Sequence, residues 1–305
     1  MNITPLTGLI AATHTPFRKD GSLNLNAIEK QAAHLLKNKV NTVFIAGTTG
    51  EGHLLTSDER KALANRWLEV TEGTSMRVIV HVGHCSVDEA ATLAAHAQSV
   101  GALAVGALAP SYFKPRTPAL LASCCKVIAA AAPRLPFYYY DIPSWTGVNI
   151  PPVQFLEVAA KQIPNLAGIK FTNPDLAAYQ SCLHFADGKY DILFGTDEFL
   201  LAGLVLGARG AVGSTYNFAA PIYHRLIADC EKDDLASARR EQFRSVRLVN
   251  TLASRGYMGA AKAVMGMLGV DVGPARIPND NLDKAQKTTL RRELEEMGFF
   301  DWIKL

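Results

Sequence analysis

An α/β protein built as a (β/α)8 barrel, with a helical extension at its C-terminal end, is the fold class this sequence predicts. Three observations predict it. Short apolar strand patterns alternate eight times with helical patterns between Gly8 and residue 220. The turn after the first strand, Thr13-His14-Thr15-Pro16-Phe17, lacks the glycine-rich dinucleotide signature that an open doubly wound sheet usually carries there. Strand signals then stop near Pro221, and only helical patterns follow.

Gly8-Leu9-Ile10-Ala11-Ala12-Thr13 is the first strand, and Asn26-Ala27-Ile28-Glu29 opens a helix running to about Asn38. Thr42–Ala46 is a second strand, with a helix from Ser57. Arg77–Val82 is a third, with a helix from Ser86, where Glu89 stands three residues on as in a capping box. Ala102–Val105 with a helix from Thr117, and Pro136–Tyr140 with a helix from Pro152, continue the alternation. Asn165–Phe171 is the sixth strand, with a helix from Pro174. Asp191–Phe194 with a helix from Asp197, and Gly210–Gly213 with a helix from about Ala219, complete eight units. The remainder reads as helices near 221–231, 234–252, 259–268 and 282–298, with Gly269 and Pro274 as punctuation. No low-complexity linker precedes them, so the expected organisation is a barrel over 1–220 and a helical extension over 221–305 packed on it.

With 305 residues, 49% hydrophobic and 19% charged, the chain is long and apolar enough for a large folded core, which argues against disorder. A net charge of +3 without a lysine and arginine cluster gives no footprint for nucleic acid. Met1–Leu6 lacks the basic-then-apolar pattern of a secretory signal, and no apolar run is long enough to span a bilayer, so the expected compartment is the cytoplasm. Cys85, Cys124, Cys125, Cys182 and Cys230 are odd in number and lack paired metal-ligand spacing, which suits reduced thiols. His81 and His84 flank Gly83 and His14 follows the first strand, but only one strand end offers a pair; no metal and no cofactor are expected.

In such barrels chemistry sits where strands end, so what each strand delivers there is informative. The sixth strand delivers Lys170 at the end of an apolar run. Desolvation there favours the neutral amine, a nucleophile able to form a Schiff base with a ketone; the ordinary alternative is a lysine whose stem lies buried and whose head reaches water. The second strand delivers Gly47-Thr48-Thr49-Gly50-Glu51-Gly52, whose exposed amides and hydroxyls suit a carboxylate, although a glycine-rich turn can be only a turn. The fifth delivers Tyr138-Tyr139-Tyr140, with Tyr138 and Tyr140 on one side; a tyrosine there either relays protons or packs with one satisfied hydroxyl. The seventh and eighth deliver Gly195-Thr196-Asp197-Glu198 and Gly213-Ser214-Thr215-Tyr216-Asn217, a polar wall in which Asp197 could also cap the next helix.

Gly47-Thr48-Thr49-Gly50-Glu51, Tyr140-Asp141-Ile142-Pro143 and Gly168-Ile169-Lys170-Phe171-Thr172, in this order at strand ends, resemble the pyruvate-dependent class I aldolase family that comprises N-acetylneuraminate lyases and dihydrodipicolinate synthases. The resemblance covers essentially the whole chain. It implies Lys170 as Schiff-base former, Tyr140 as proton relay, and Thr48 and Thr49 at the carboxylate of a 2-keto acid. It further implies Tyr112, in Pro110-Ser111-Tyr112-Phe113, as an aromatic presented to a neighbouring subunit's site, and assembly as a homotetramer. The synthase branch places an arginine after the tyrosine, where this chain has Pro143-Ser144-Trp145-Thr146-Gly147. The sugar-acid branch lines its pocket with an Asp-Glu pair and a Gly-Ser-Thr-Tyr-Asn segment, here Asp197-Glu198 and Gly213–Asn217. The expected activity is therefore cleavage of N-acetylneuraminate to N-acetylmannosamine and pyruvate, with Thr172, Gly195, Gly213 and Ser214 also at the substrate. The alternatives are a 2-keto-3-deoxy sugar acid aldolase, a dihydrodipicolinate synthase, or a silent sensor of pyruvate or sialic acid.

Overall fold

Short, mostly apolar runs, buried except at Gly8 and Arg77, form eight parallel strands that close on themselves in chain order, β1 to β8. They are β1 Gly8–Ala12, β2 Thr42–Ile45, β3 Arg77–His81, β4 Ala104–Leu108, β5 Phe137–Asp141, β6 Leu166–Phe171, β7 Asp191–Phe194 and β8 Gly210–Gly213. The computed structural model describes residues 4–304; Met1–Ile3, on which part of the reading of the leader rests, and Leu305, the last residue of the extension, lie outside the described residues. Around the barrel run α1 Ala27–Lys37, α2 Ser57–Thr71, α3 Val87–Ser99, α4 Pro118–Ala131, the short α5 Pro143–Thr146, α6 Pro152–Gln162, α7 Leu176–His184, α8 Leu200–Val205 and α9 Tyr216–Glu231. Then follow α10 Leu235–Ala253, α11 Met258–Met267, α12 Lys284–Met297 and α13 Phe299–Trp302, so residues 220 and 221 lie inside one helix, α9. No described helix is long and apolar enough to cross a membrane.

The helix starts follow side-chain caps: Thr56, Ser86, Thr117 and Asp175 each accept the amide three residues on. At Ser86 only half of the expected capping box forms, because the Glu89 carboxylate accepts from Ser57 Oγ at 2.7 Å instead of returning to the cap. Reciprocal boxes form at Thr56 and Glu59 and at Asp283 and Gln286.

The barrel interior is filled by Ile10, Ala12, Phe44, Ile79, Ala104, Leu108, Tyr138, Tyr140, Ala167, Leu193 and Val212. β4 runs to Leu108 rather than ending at Val105. Gly106 belongs to it because the Phe44 ring occupies the space where a side chain would stand, 2.9 Å from a Cβ at that position. On β6, Ala167 and Lys170 both face inward although strict alternation would separate them. A register shift opposite Phe137 and Tyr138 reconciles the two and sets Lys170 beside Tyr140. α9 begins at Tyr216, earlier than Ala219, and is interrupted where Ala219 leaves helical geometry ahead of Pro221.

Candidate active site

The carboxyl ends of the strands open into a cavity of about 810 Å³. Lys170 is its chemically unusual member. The side chain is buried, Nζ donates to Thr172 Oγ1 at 3.0 Å, and it lies 3.5 Å from the centroid of the Tyr140 ring. Burial pushes the Lys170 ammonium below the ordinary lysine range, while Tyr140 and the Asp197 charge pull in the other direction. An amine in these surroundings loses its proton more readily than one at the surface.

Tyr140 turns its hydroxyl to Thr48 Oγ1, 3.3 Å away, so the fifth strand and the second loop meet directly above the lysine. That loop is folded tightly enough to need its glycines. A Cβ on Gly52 would lie 1.9 Å from Ala46 O, and one on Gly50 would lie 2.9 Å from Ala46 N. Glu51, at φ 53°, is held by Lys262 of α11, with Nζ 2.6 Å from its carboxylate. The same carboxylate accepts from Arg276 N at 2.8 Å and Asn279 Nδ2 at 3.1 Å. The shape of the threonine loop is thus fixed from the C-terminal extension.

The opposite wall comes from β7 and β8. Asp197 does not cap the helix that follows it; a single 3-10 turn, Asp197–Phe199, precedes α8, and the carboxylate accepts from Thr215 N at 2.8 Å and Thr215 Oγ1 at 2.6 Å. Burial pushes the Asp197 carboxyl up to about 6 against those two hydrogen bonds, with Glu198 adding to the rise and Lys170 opposing it. Gly213 is obligatory here, since a Cβ would fall 1.9 Å from Asp197 Oδ1; Gly195 is likewise pressed against Thr172 Oγ1.

Thr48, Thr49, Tyr140, Lys170, Thr172, Gly195, Asp197, Glu198, Gly213 and Ser214 all line this one cavity. Tyr112 does not: it stands 79% exposed outside its own chain's cavity, stacked edge-on against Phe113. Tyr138, the other inward tyrosine, lies lower in the barrel and donates to Asp191 Oδ2 at 2.9 Å, which also accepts Leu6 N. His81 is buried, with Nδ1 3.0 Å from Ala46 O and Nε2 3.4 Å from Leu108 N, an arrangement that suits a neutral ring; burial holds its pKa well below the ordinary value. His84 accepts from Ser86 N. Among the described residues no group of three or more His, Cys, Asp or Glu converges as a metal site would require.

Residues 5–297 match the Dihydrodipicolinate synthetase family. The chain belongs to that family. Among its relatives, N-acetylneuraminate lyase of Rattus norvegicus is 37% identical over 301 residues, covering 97% of this chain and 94% of the relative. N-acetylneuraminate lyase of Mus musculus is 40% identical over 298 residues, covering 96% and 93%. Proteus mirabilis N-acetylneuraminate lyase superposes with a TM-score of 0.94 at 40% identity, covering 97% of this chain and 100% of that one.

Among the cavity residues that the motifs read from the sequence do not include, Tyr257 makes a direct contact with one that they do. Tyr257, at the start of α11, places its hydroxyl 2.5 Å from Ser214 Oγ and holds a sparsely populated backbone geometry of φ 31° and ψ −61°. Its only local signal is the preceding Gly256, which marks a turn and no chemistry. The partner is 43 residues away in the chain, so no spacing pattern points to it.

Proposed function

We infer that this chain is a Schiff-base aldolase that cleaves N-acetylneuraminate to N-acetylmannosamine and pyruvate. The observation that carries the inference is the buried Lys170 amine, pressed on Tyr140 and facing a cavity whose far wall is polar. Neutral Lys170 attacks the keto carbon, the Tyr140 hydroxyl gives its proton to the oxygen that leaves as water, and the resulting iminium draws electrons from the neighbouring carbon–carbon bond. Tyr140, in contact with Thr48, takes the proton from the hydroxyl on the departing carbon; that carbon becomes the aldehyde of the amino sugar. The enamine left on Lys170 is protonated and hydrolysed, releasing pyruvate and restoring the amine. Thr48 and Thr49 hold the keto acid carboxylate throughout.

Asp197, Glu198 and Ser214 face the hydroxylated tail, with Thr172, Gly195 and Gly213 shaping the space between. A substrate lacking the tail hydroxyls would forgo hydrogen bonds to the buried Asp197 and the half-buried Glu198 and Ser214. Trp145 stands at the cavity mouth, 71% exposed, where the synthase branch would have a cation. Tyr112, Phe113 and Trp145 present exposed aromatic surface that fits a subunit contact, in line with a homotetramer in the cytoplasm in which Tyr112 reaches a neighbour's cavity. The reading is tested by comparing kcat/KM for N-acetylneuraminate, 2-keto-3-deoxygluconate and the synthase pair of pyruvate with its amino-aldehyde. Preference for N-acetylneuraminate is expected. A large preference for 2-keto-3-deoxygluconate would overturn the substrate assignment and leave the aldolase chemistry standing.

A further inference from the structure

We propose that Thr215 is a positioning residue for substrate specificity, and that it works at the head of a buried hydroxyl chain through which α10 holds Asp197 in place for the sugar tail. The inference rests on the lyase reading above. Thr215 Oγ1 lies 2.6 Å from Asp197 Oδ2 and 2.5 Å from the Tyr223 hydroxyl. Tyr223 in turn lies 2.7 Å from Ser245 Oγ, on α10. Thr215, Tyr223 and Ser245 have no exposure to solvent, and Asp197 has almost none.

The proton count fixes the direction of this chain. An ionised carboxylate only accepts, and a hydroxyl has one proton to give. The Thr215 proton therefore goes to Asp197, so Thr215 must accept from Tyr223. Tyr223, with its proton so committed, accepts from Ser245 across the 2.7 Å contact in preference to the longer 3.3 Å contact between Ser245 and Asp197 O. Every hydroxyl is used, and all point toward one oxygen of one carboxylate. α10 grips the same residue from the other side: Gln242 Nε2 donates to Asp197 O at 3.2 Å while its Oε1 accepts Leu201 N at 2.7 Å. A capping residue or a packing contact needs none of this. A ligand-facing carboxylate that must stay ionised while buried does, because burial alone favours its neutral form.

The groups facing Asp197 are Glu198 from its own turn, Lys170 from β6, Tyr216 and Tyr223 from α9, and Tyr257 from the start of α11. Glu198 raises the Asp197 pKa and Lys170 lowers it, while the two hydrogen bonds from Thr215 also lower it. Losing one of those bonds therefore moves the Asp197 pKa upward. The acid limb of kcat/KM on N-acetylneuraminate should move to higher pH with it.

The test is the intact enzyme with Thr215→Val, Thr215→Ser and Tyr223→Phe. Each is assayed for kcat and KM on N-acetylneuraminate across pH, and for borohydride trapping of pyruvate at Lys170. Thr215→Val is expected to raise KM about tenfold or more, the effect of one lost hydrogen bond to a charged group. It should also shift the acid limb upward by about one pH unit, with kcat falling less. Thr215→Ser, which keeps the hydroxyl, should return both quantities most of the way. Tyr223→Phe should shift them in the same sense by less, and trapping of pyruvate should persist in all three. Unchanged KM and acid limb in Thr215→Val, or equal damage in Thr215→Ser, would overturn the proposal. Failure of the wild-type enzyme to cleave N-acetylneuraminate in the same assay would instead overturn the functional reading on which it rests.

Discussion

Lys170 is under opposed forces, and the balance between them sets its chemistry. Burial favours the neutral amine, while the Tyr140 ring and the Asp197 charge favour the ammonium. The net direction is downward, so the neutral fraction grows at lower pH than for a surface lysine. The rate of imine formation with pyruvate should therefore rise with pH ahead of the ordinary lysine range, and stopped-flow trapping across pH reads this directly. A rise confined to the range of an exposed lysine would show that burial is not effective. Tyr140 and Tyr138 make a second comparison at this scale, since both face inward from one strand and only Tyr140 reaches the threonine loop. Tyr140→Phe is expected to keep the fold and lose about 10²–10⁴ in kcat. Tyr138→Phe should leave kcat nearly intact. It removes a donor from the buried Asp191 carboxylate, so it should instead lower unfolding stability by about 1.5–3 kcal/mol.

Among elements, the turn Gly47–Gly52 and the strand β6 show how backbone constraints make a site. The turn is shaped by glycines that approach Ala46 and by Glu51, whose pairing with Lys262 buries both charges almost completely. A pair of this kind is costly to break from one side. Lys262→Met should lower stability by about 3–5 kcal/mol in urea unfolding, and adding Glu51→Gln should recover much of the loss. Equal losses in the single and double variants would show that the cost lies in packing and not in charge. Much of this level was legible beforehand. Buried parallel strands read as largely apolar runs, and helix starts were read at Ser57, Ser86 and Thr117, with a capping pattern recognised only at Ser86; the structure adds side-chain caps at Thr56 and Thr117. β4 continues past the expected end at Val105 through Gly106, a residue with no side chain to show an apolar pattern, beside which the Phe44 ring fills the space. The short helix α5 left no signal beyond Pro143 and Gly147, too little chain for a period to show.

At the scale of the whole molecule, the floor of the cavity was readable and the far wall only in part. Lys170, Tyr140 and the threonines stand at strand ends, where one fold rule brings them together. Tyr257, Lys262 and Ser245 arrive from helices whose docking on the barrel follows from three-dimensional packing alone. Lys262 reaches Thr15 O across 247 residues of chain, a separation that no local pattern encodes. The division of labour between floor and wall is itself testable. Glu198→Gln should lower kcat/KM on N-acetylneuraminate about ten- to a hundred-and-fifty-fold while pyruvate trapping stays nearly intact. Equal loss of both would mean that the wall supports the fold rather than the substrate. Everything proposed about the reaction nevertheless depends on one covalent bond. Mass spectrometry of the protein reduced with borohydride in the presence of pyruvate tests it most directly. The expected result is a single reduced pyruvyl group on Lys170, absent in Lys170→Arg, whose guanidinium stays protonated. No adduct in the wild-type protein, or an adduct that persists on another lysine when Lys170 is replaced, would contradict it.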